Sequence, residues 1–210
     1  MSILTVPASV PPRMPTAPAS CRKQKWTVEE FHRVRATGVW DGLRTYLIRG
    51  EIWEQGPMNP RHANCVDRVR EVLGAVFGAG YRLRVQTPVV LGDSSPFPDL
   101  AVVKGGLNDF ETKHPTTAAL IVEIADSSLF EDTTTKAEVY ATARILDYWV
   151  VDIENRRLLV FRDPSALPGG GSAYRTCLNM TDAESVAPLA APKAVVRVGD
   201  LFPPLTVEAP

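Results

Sequence analysis

Two acidic residues lie inside apolar segments of this sequence, where a carboxylate is out of place. Glu123 interrupts the apolar run 118–125, and Asp99 stands near the start of the apolar stretch 98–103. Because burying a lone carboxylate is costly, such an acid is usually paired, neutralised or bound to a metal. Two acids at the ends of neighbouring strands could converge on one Mg²⁺ ion, which takes a few carboxylates and several waters. The alternative is that each acid pairs with an arginine or caps the following turn.

Other residues with suitable chemistry occur at informative spacings. Lys136 and Tyr140 are four residues apart, so they share one face of a helix that follows the Glu123 strand. From there Lys136 could reach the carboxylates, although a helical lysine is more often solvated. Tyr140 could contact a phosphate, or it could be a packed aromatic with a solvated hydroxyl. His62 could act as a general base, cap a helix or face a phosphate.

Basic residues outnumber acidic ones between positions 61 and 84. The segment contains five arginines and only two acids, namely Arg61, Arg68, Arg70, Arg82 and Arg84 against Asp67 and Glu71. Such a patch could follow a phosphate backbone. It could equally be the solvated face of a helix.

The elements that would position these residues form a mixed pattern of helices and strands. Thr27 and Glu30 are a capping-box signature for a helix reaching about residue 36, and apolar spacing predicts further helices over 61–77 and 131–143. The run 118–125 is typical of a central strand buried on both faces. Other predicted strands are 43–48, 51–54, 81–85, 87–91, 98–103, 148–153 and 157–162, with weaker ones at 173–178 and 195–201 and a loop at 164–172.

The bulk properties are those of a globular protein with one domain. Hydrophobic residues make up 45% and charged residues 22%, and the net charge is −1, so any nucleic-acid contact must be local. Three widely spaced cysteines without a C-x-x-C pair argue against a zinc knuckle or a disulfide framework. No apolar run reaches the length of a membrane span. We expect a Pro-rich flexible arm over 1–22, one domain over 23–205, a short tail over 206–210, and a cytoplasmic location.

At the acidic residues the sequence resembles a known family. The residues that carry the resemblance are Gly50-Glu51, Pro60-Arg61-His62, the segment 84–88, Pro98-Asp99, the segment 123–128, Lys136 with Tyr140-Ala141, and the segment 147–152. In this order they resemble the Uma2 family of endonucleases, within the PD-(D/E)XK or restriction-endonuclease-like superfamily. The resemblance extends from about residue 26 to residue 202. It implies a single α/β domain with a mixed central sheet flanked by helices.

The resemblance also implies roles for particular residues. Asp99 matches the Asp of the PD motif, and Glu123 matches the acid of the E-x-K motif. Ala125 occupies the usual lysine position, and Lys136 on the next helix is the matching replacement. Glu51 matches an upstream acid that could complete a Mg²⁺ site, with Mn²⁺ as a substitute ion. The implied catalytic residues are therefore Asp99, Glu123, Lys136 and Glu51, with Tyr140, His62 and Arg61 as candidates for substrate binding.

Several positions depart from the family pattern. Leu47 stands where the family commonly has an acid, Asp132-Thr133 replaces a frequent Asp-Arg, and Arg144 replaces a frequent Gly. These changes spare the main acids and Lys136. We therefore expect a Mg²⁺-dependent endonuclease that hydrolyses DNA, and a homodimer is possible. The alternatives are an inactive nuclease-fold protein that binds nucleic acid or regulates, and, more weakly, a structural protein that dimerises through its C-terminal strands.

Overall fold

The computed structural model describes residues 24–204, so the predicted arm and the predicted tail lie outside the described residues. Three helical segments occur in the described range. The third is continuous and contains a π-helical turn between two α-helical pieces. The helices are α1 (Val28–Arg35), α2 (Pro60–Val76), α3 (Leu129–Glu131), the π-helical turn Asp132–Lys136 and α4 (Ala137–Thr142), with 3₁₀ turns at Asn108–Phe110 and Val198–Leu201.

A six-stranded sheet forms the centre of the domain, in the order β3-β4-β5-β6-β7-β8. Only β5 and β6 are parallel, so the predicted mixed sheet is confirmed. A hairpin of β1 and β2 and a small pair of β9 and β10 lie outside this sheet. The strands are β1 (Arg44–Ile48), β2 (Glu51–Gln55), β3 (Tyr81–Val85), β4 (Leu100–Lys104), β5 (Leu120–Ala125), β6 (Asp147–Asp152), β7 (Arg157–Ala166), β8 (Ser172–Thr181), β9 (Ser185–Val186) and β10 (Val196–Arg197).

The sheet separates two parts of the core. On one face, Val122 and Ile124 of β5 pack with residues of α2 and with the C-terminal 3₁₀ turn. On the other face, Ile121 and Ala125 pack with α4 and with the hairpin residue Ile48. All six residues of β5 are buried, as predicted for a central strand. Glu123 therefore projects toward the face that α4 covers, because side chains alternate along a strand.

The first helix forms as its sequence predicts. Thr27 accepts a hydrogen bond from the backbone of Glu30, and the Glu30 side chain accepts one from the backbone of Thr27, completing the capping box. Asn59 caps α2 in a similar way, since its side chain accepts from the backbone N–H of His62. This cap fixes the first turn of α2, where His62 lies.

Three sequence predictions for strands and loops were wrong. Residues 87–91 form no strand, because the backbone N–H groups of Val89 and Val90 donate to the loop carbonyls of Pro96 and Pro115. The predicted loop 164–172 is shorter than predicted, since β7 continues to Ala166 and β8 begins at Ser172, which leaves 167–171 as the loop. Pro164 is tolerated in β7 because it lies beyond the last residue paired to β6. The predicted strand 195–201 is limited to β10 and then turns into a 3₁₀ helix.

No helix in the described range 24–204 is long and apolar enough to cross a membrane.

Candidate active site

Strand pairing places the two predicted acids side by side. In the antiparallel ladder of β4 and β5, Leu100 pairs with Val122, so the next position on each strand sets Asp99 opposite Glu123. The backbone N–H of Asp99 lies 3.4 Å from Glu123 Oε2, and the backbone N–H of Ile124 donates to Asp99 Oδ2 at 2.9 Å. Both acids are almost completely buried, as the sequence predicts. Asp99 and Glu123 therefore form one buried carboxylate pair.

Asp99 is held by two side chains from other elements. His62 Nε2 and Gln86 Nε2 lie 3.0 and 3.1 Å from Asp99 Oδ1. Burial opposes ionisation, but the hydrogen bond and charge of His62 still lower the pKa of Asp99 below its usual value. Because an ionised carboxylate can accept hydrogen bonds but cannot donate them, His62 Nε2 is protonated and donates to Asp99. Although burial opposes it, the same contact raises the pKa of His62.

Glu123 is held from the helical segment that follows its strand. The Tyr140 hydroxyl donates to Glu123 Oε1 at 2.6 Å, and Lys136 Nζ lies 3.2 Å from Glu123 Oε2. Lys136 also lies 2.8 Å from Asp132 Oδ1, and Ser128 donates to the other oxygen of Asp132. The prediction that Lys136 and Tyr140 share a helix face near Glu123 is confirmed.

The contacts of Tyr140 differ from both alternatives that the sequence leaves open. Its side chain is fully buried, and its hydroxyl is occupied by Glu123, so the hydroxyl is neither solvated nor at the surface. Burial, then the charge of Glu123, raises the pKa of Tyr140 well above its usual value. Tyr140 therefore positions Glu123 and remains protonated.

The carboxylate pair lies behind a cleft that is formed by the hairpin, the start of α2 and the segment 126–136. The cleft has a volume of about 340 Å³, and His62 and Lys136 are the two members of the cluster that reach its surface. Tyr46 and Trp53 form an aromatic pair on the hairpin, with ring centroids 6.4 Å apart, and both line the cleft. The remaining lining residues are Arg44, Glu54, Gln55, Gly56, Pro57, Met58, Asn59, Asp126, Ser127, Ser128 and Glu131.

Two of the predicted site residues lie at some distance from the pair. Glu51 is exposed at the start of β2 and does not line the cleft, and its role as a metal ligand stays a prediction. Arg61 follows the N-cap of α2, where it pairs with Asp126 at 3.6 Å and donates to the carbonyl of Ile153. Its side chain is 53% exposed but does not line the cleft, and its role in substrate binding stays a prediction.

Sequence reasoning missed two residues of the cluster. The family resemblance includes Gln86 but implies no role for it. Its left-handed backbone (φ 48°) is a conformation that is found often at functional sites. The family resemblance implies no role for Asp132, which precedes Thr133 at a position where the pair departs from the family pattern. Its position four residues before Lys136 on the same helix was the available signal for an ion pair.

The charges of the cluster fit a divalent cation. Three buried carboxylates, of Asp99, Glu123 and Asp132, face Lys136 and His62. Burial raises the pKa of Glu123, and the charges of Asp132 and Asp99 add to this effect while Lys136 opposes it. Burial is the largest cause of this raised pKa. The charge count is a separate argument: three carboxylates face two basic side chains, and a divalent cation would balance the remaining negative charge.

The donor set also suits a hydrated ion. Mg²⁺ binds through one or two carboxylates together with waters, and Asp99 and Glu123 supply two. Within residues 24–204 there is no group of three or more His, Cys, Asp or Glu side chains arranged to hold a metal.

Fold and site together define a nuclease-like α/β domain with a carboxylate pair at the end of two central strands. Over residues 28–194 the chain matches the family model described as "Uma2: Putative restriction endonuclease". The chain belongs to this family. No curated protein matches it.

A solved structure has the same fold. It is the crystal structure of "a putative nuclease belonging to DUF820" from Anabaena variabilis, with a TM-score of 0.63. The alignment covers 84% of this chain and 97% of that chain, at 18% sequence identity. At this identity the likeness shows the fold, and the predicted restriction-endonuclease-like architecture is confirmed.

Proposed function

We propose that this protein is an endonuclease that hydrolyses phosphodiester bonds in DNA with the help of Mg²⁺ or Mn²⁺. The observation that carries the proposal is the pairing of Asp99 with Glu123 across β4 and β5, with Lys136 beside them. Family membership supports a nuclease activity, and the cleft beside the pair gives a substrate access to it.

Each residue of the cluster has a role that follows from its contacts. Asp99 and Glu123 would hold the divalent ion, which lowers the pKa of a bound water and neutralises charge on the phosphate. His62 and Gln86 fix Asp99, and Tyr140 fixes Glu123. These contacts hold the two carboxylates in the orientation that metal binding needs, so they need not reorganise when the substrate binds.

Lys136 supplies the fixed positive charge of the site. Its ammonium contacts Glu123 and reaches the cleft surface, so a phosphate bound beside the carboxylates would lie against it. Burial lowers the pKa of Lys136, but the charges of Glu123 and Asp132 outweigh burial and raise it, so the amine stays protonated. A protonated amine stabilises the charge that develops on the phosphate in the transition state. Lys136 thereby takes the place of the lysine that Ala125 replaces.

A plasmid-cleavage assay tests the proposal. Purified protein is incubated with supercoiled DNA and Mg²⁺ or Mn²⁺, in parallel with D99N, E123Q and D152N. Asp152 is the matched control, because it is buried and paired with Arg157 away from the cleft. We expect nicking by the wild type and by D152N, and a loss of about 100-fold or more in D99N and E123Q. Cleavage that survives both site substitutions would overturn the site assignment.

One observation favours an alternative function. Lys136 lies between Glu123 and Asp132, and Asp99 accepts hydrogen bonds on both oxygens, so the cluster is satisfied by the protein's own groups. A nuclease fold stabilised in this way could bind nucleic acid or regulate without cleaving it. Retained DNA binding without cleavage under any divalent ion would favour this alternative.

A further inference from the structure

A group of basic side chains lies outside the cleft and has no acidic partner. It consists of His32 on α1, Arg84 on β3 and His114 in the loop that precedes β5, and is called the basic cluster below. The rings of His32 and His114 lie 5.2 Å apart, and the Arg84 guanidinium lies 5.3 Å from the centre of the Phe110 ring. In the part of the chain that the structure describes, none of the three forms an ion pair with a carboxylate.

Buried polar atoms without partners concentrate in the same region. Among residues 24–204, four buried side-chain polar atoms lack a hydrogen bond: Arg84 Nε, Thr87 Oγ1, His114 Nδ1 and Asp132 Oδ1. The last of these faces Lys136, so it has an ionic partner. The other three belong to the basic cluster or to Thr87, whose segment is bonded to the His114 loop through Val90 N and Pro115 O. Arg84 Nε can only donate, and Thr87 Oγ1 and His114 Nδ1 can each donate as well. Because unpartnered buried donors are costly, this region has the character of a site for a hydrogen-bond acceptor.

The local charges favour an anion. Burial lowers the pKa of His114, and the neighbouring charges that lower it further are His32 and Arg84. Burial and Arg35 likewise lower the pKa of His32, against a smaller effect of Glu29. The adjoining cavity of about 370 Å³ is lined by His114 and Phe110 together with Lys104 and Lys113, and no acidic side chain lines it. At neutral pH the two histidines are therefore uncharged, and Arg84 carries the fixed positive charge of the cluster. An oxyanion would pair with Arg84 and accept hydrogen bonds from the neighbouring donors.

We propose that the basic cluster binds one phosphate group of the nucleic-acid backbone, next to the candidate active site. The identity of the ligand as nucleic acid rests on the proposed function. Arg84 lies two residues before Gln86, which contacts Asp99, and it pairs with Ala101 of β4, two residues after Asp99. β3 is an edge strand of the sheet. A DNA strand that is bound in the cleft and extends along this edge would place further backbone phosphates beside the basic cluster.

The salt dependence of DNA binding tests this proposal without requiring cleavage. Binding of a fluorescent duplex oligonucleotide is measured by anisotropy in Ca²⁺ at several salt concentrations, for wild type, R84Q, R84K and R82Q. Arg82 is the matched control, since it projects from the same face of the same strand but is exposed. Loss of one phosphate contact makes the slope of log K against log[salt] shallower by about 0.9. We expect this change in R84Q, a wild-type slope in R84K, and a smaller change in R82Q.

The possible outcomes separate this proposal from the proposed function. Equal slopes for R84Q and R82Q would overturn it, and so would the absence of oligonucleotide binding by the wild type. Calorimetry with inorganic phosphate distinguishes the source of the anion: phosphate binding that R84Q abolishes, with oligonucleotide binding unaffected, would assign a free anion and overturn the backbone contact. If R84Q unfolds, R84M, which keeps the aliphatic part of the side chain, must show the same loss of slope, and its failure to do so counts against the proposal. Retained binding without cleavage would count only against the proposed function.

Discussion

At the scale of single residues, the candidate site consists of buried charged groups that hold one another in place. Each oxygen of Asp99 accepts a hydrogen bond, and each oxygen of Glu123 has a donor or a cation beside it. Among the hydrogen bonds of the described residues, Glu123 Oε1 accepts only from Tyr140, so removing that hydroxyl leaves a buried carboxylate oxygen without a partner. That loss costs more than the loss of an ordinary hydrogen bond.

Tyr140→Phe tests the hydrogen bond to Glu123. The substitution keeps the buried ring and removes only the hydroxyl, so we expect the free energy of unfolding to fall by about 2 kcal/mol, as for bonds to charged groups. Tyr148→Phe is the matched control, since its buried hydroxyl donates to the uncharged backbone carbonyl of Asp132; there we expect about 1 kcal/mol. Urea unfolding at pH 8 measures both. An equal or larger effect of Tyr148→Phe would contradict the charged contact.

The contact between His62 and Asp99 predicts a pH dependence of stability. The pKa of His62 is raised in the folded protein. Its contribution is therefore fully present below its pKa in the unfolded chain and is lost as the pH rises through its higher folded value. Comparing wild type with His62→Gln in EDTA, we expect the wild-type advantage in unfolding free energy to be larger at pH 6 than at pH 9. An advantage that grows with pH would show that His62 is not held as a cation.

At the scale of elements, the hairpin and the helical segment 129–142 bring their side chains to the sheet. Arg49 at the hairpin turn pairs with Glu138 of α4 at 2.6 Å, which ties these two elements together. The π-helical turn ends at Lys136, and turns of this kind are frequent at functional sites. Gly50 completes the hairpin turn with φ 74°, packed against the segment before α1.

Gly50→Ala tests how tightly the hairpin is held. A Cβ at Gly50 would lie 2.8 Å from Lys25 Cβ and 3.0 Å from the carbonyl of Trp26, in addition to the left-handed backbone. Gly42→Ala is the control, because Gly42 also has a positive φ but nothing lies within 4 Å of its added Cβ. We expect about 1–2 kcal/mol for Gly42→Ala and a larger loss for Gly50→Ala, both measured by thermal unfolding. Equal losses of stability in the two variants would show that Lys25 moves away from the added Cβ at no cost.

Elements with a strong local signal could be predicted from the sequence, and those set by distant contacts could not. The apolar run of β5 and the capping box of α1 each depend on neighbouring residues, and both were predicted correctly. Residues 87–91 have strand-like composition, yet their N–H groups bond to loops that lie apart in the sequence. The role of Gln86 could not be predicted from the sequence either, because it depends on a contact with Asp99, which lies on the neighbouring strand segment.

At the scale of the whole molecule, the site lies where three parts of the chain meet. The central strands supply the carboxylates, α2 supplies His62, and the helical segment 129–142 supplies Lys136. Family resemblance could name Asp99, Glu123 and Lys136 from the sequence because their order along the chain follows a motif. Asp132 completes the charge of the cluster, and only the fold shows that its carboxylate is buried beside Lys136.

The central claim is that the carboxylate pair is a divalent-metal site, and Mn²⁺ binding tests it most directly. The free Mn²⁺ signal in electron paramagnetic resonance is followed during titration of wild type, D99N, E123Q and the control D152N, without nucleic acid. We predict one site in the wild type and in D152N, and a loss of binding of at least tenfold in D99N and in E123Q. Undiminished binding in both site variants, or no binding by the wild type, would contradict the claim.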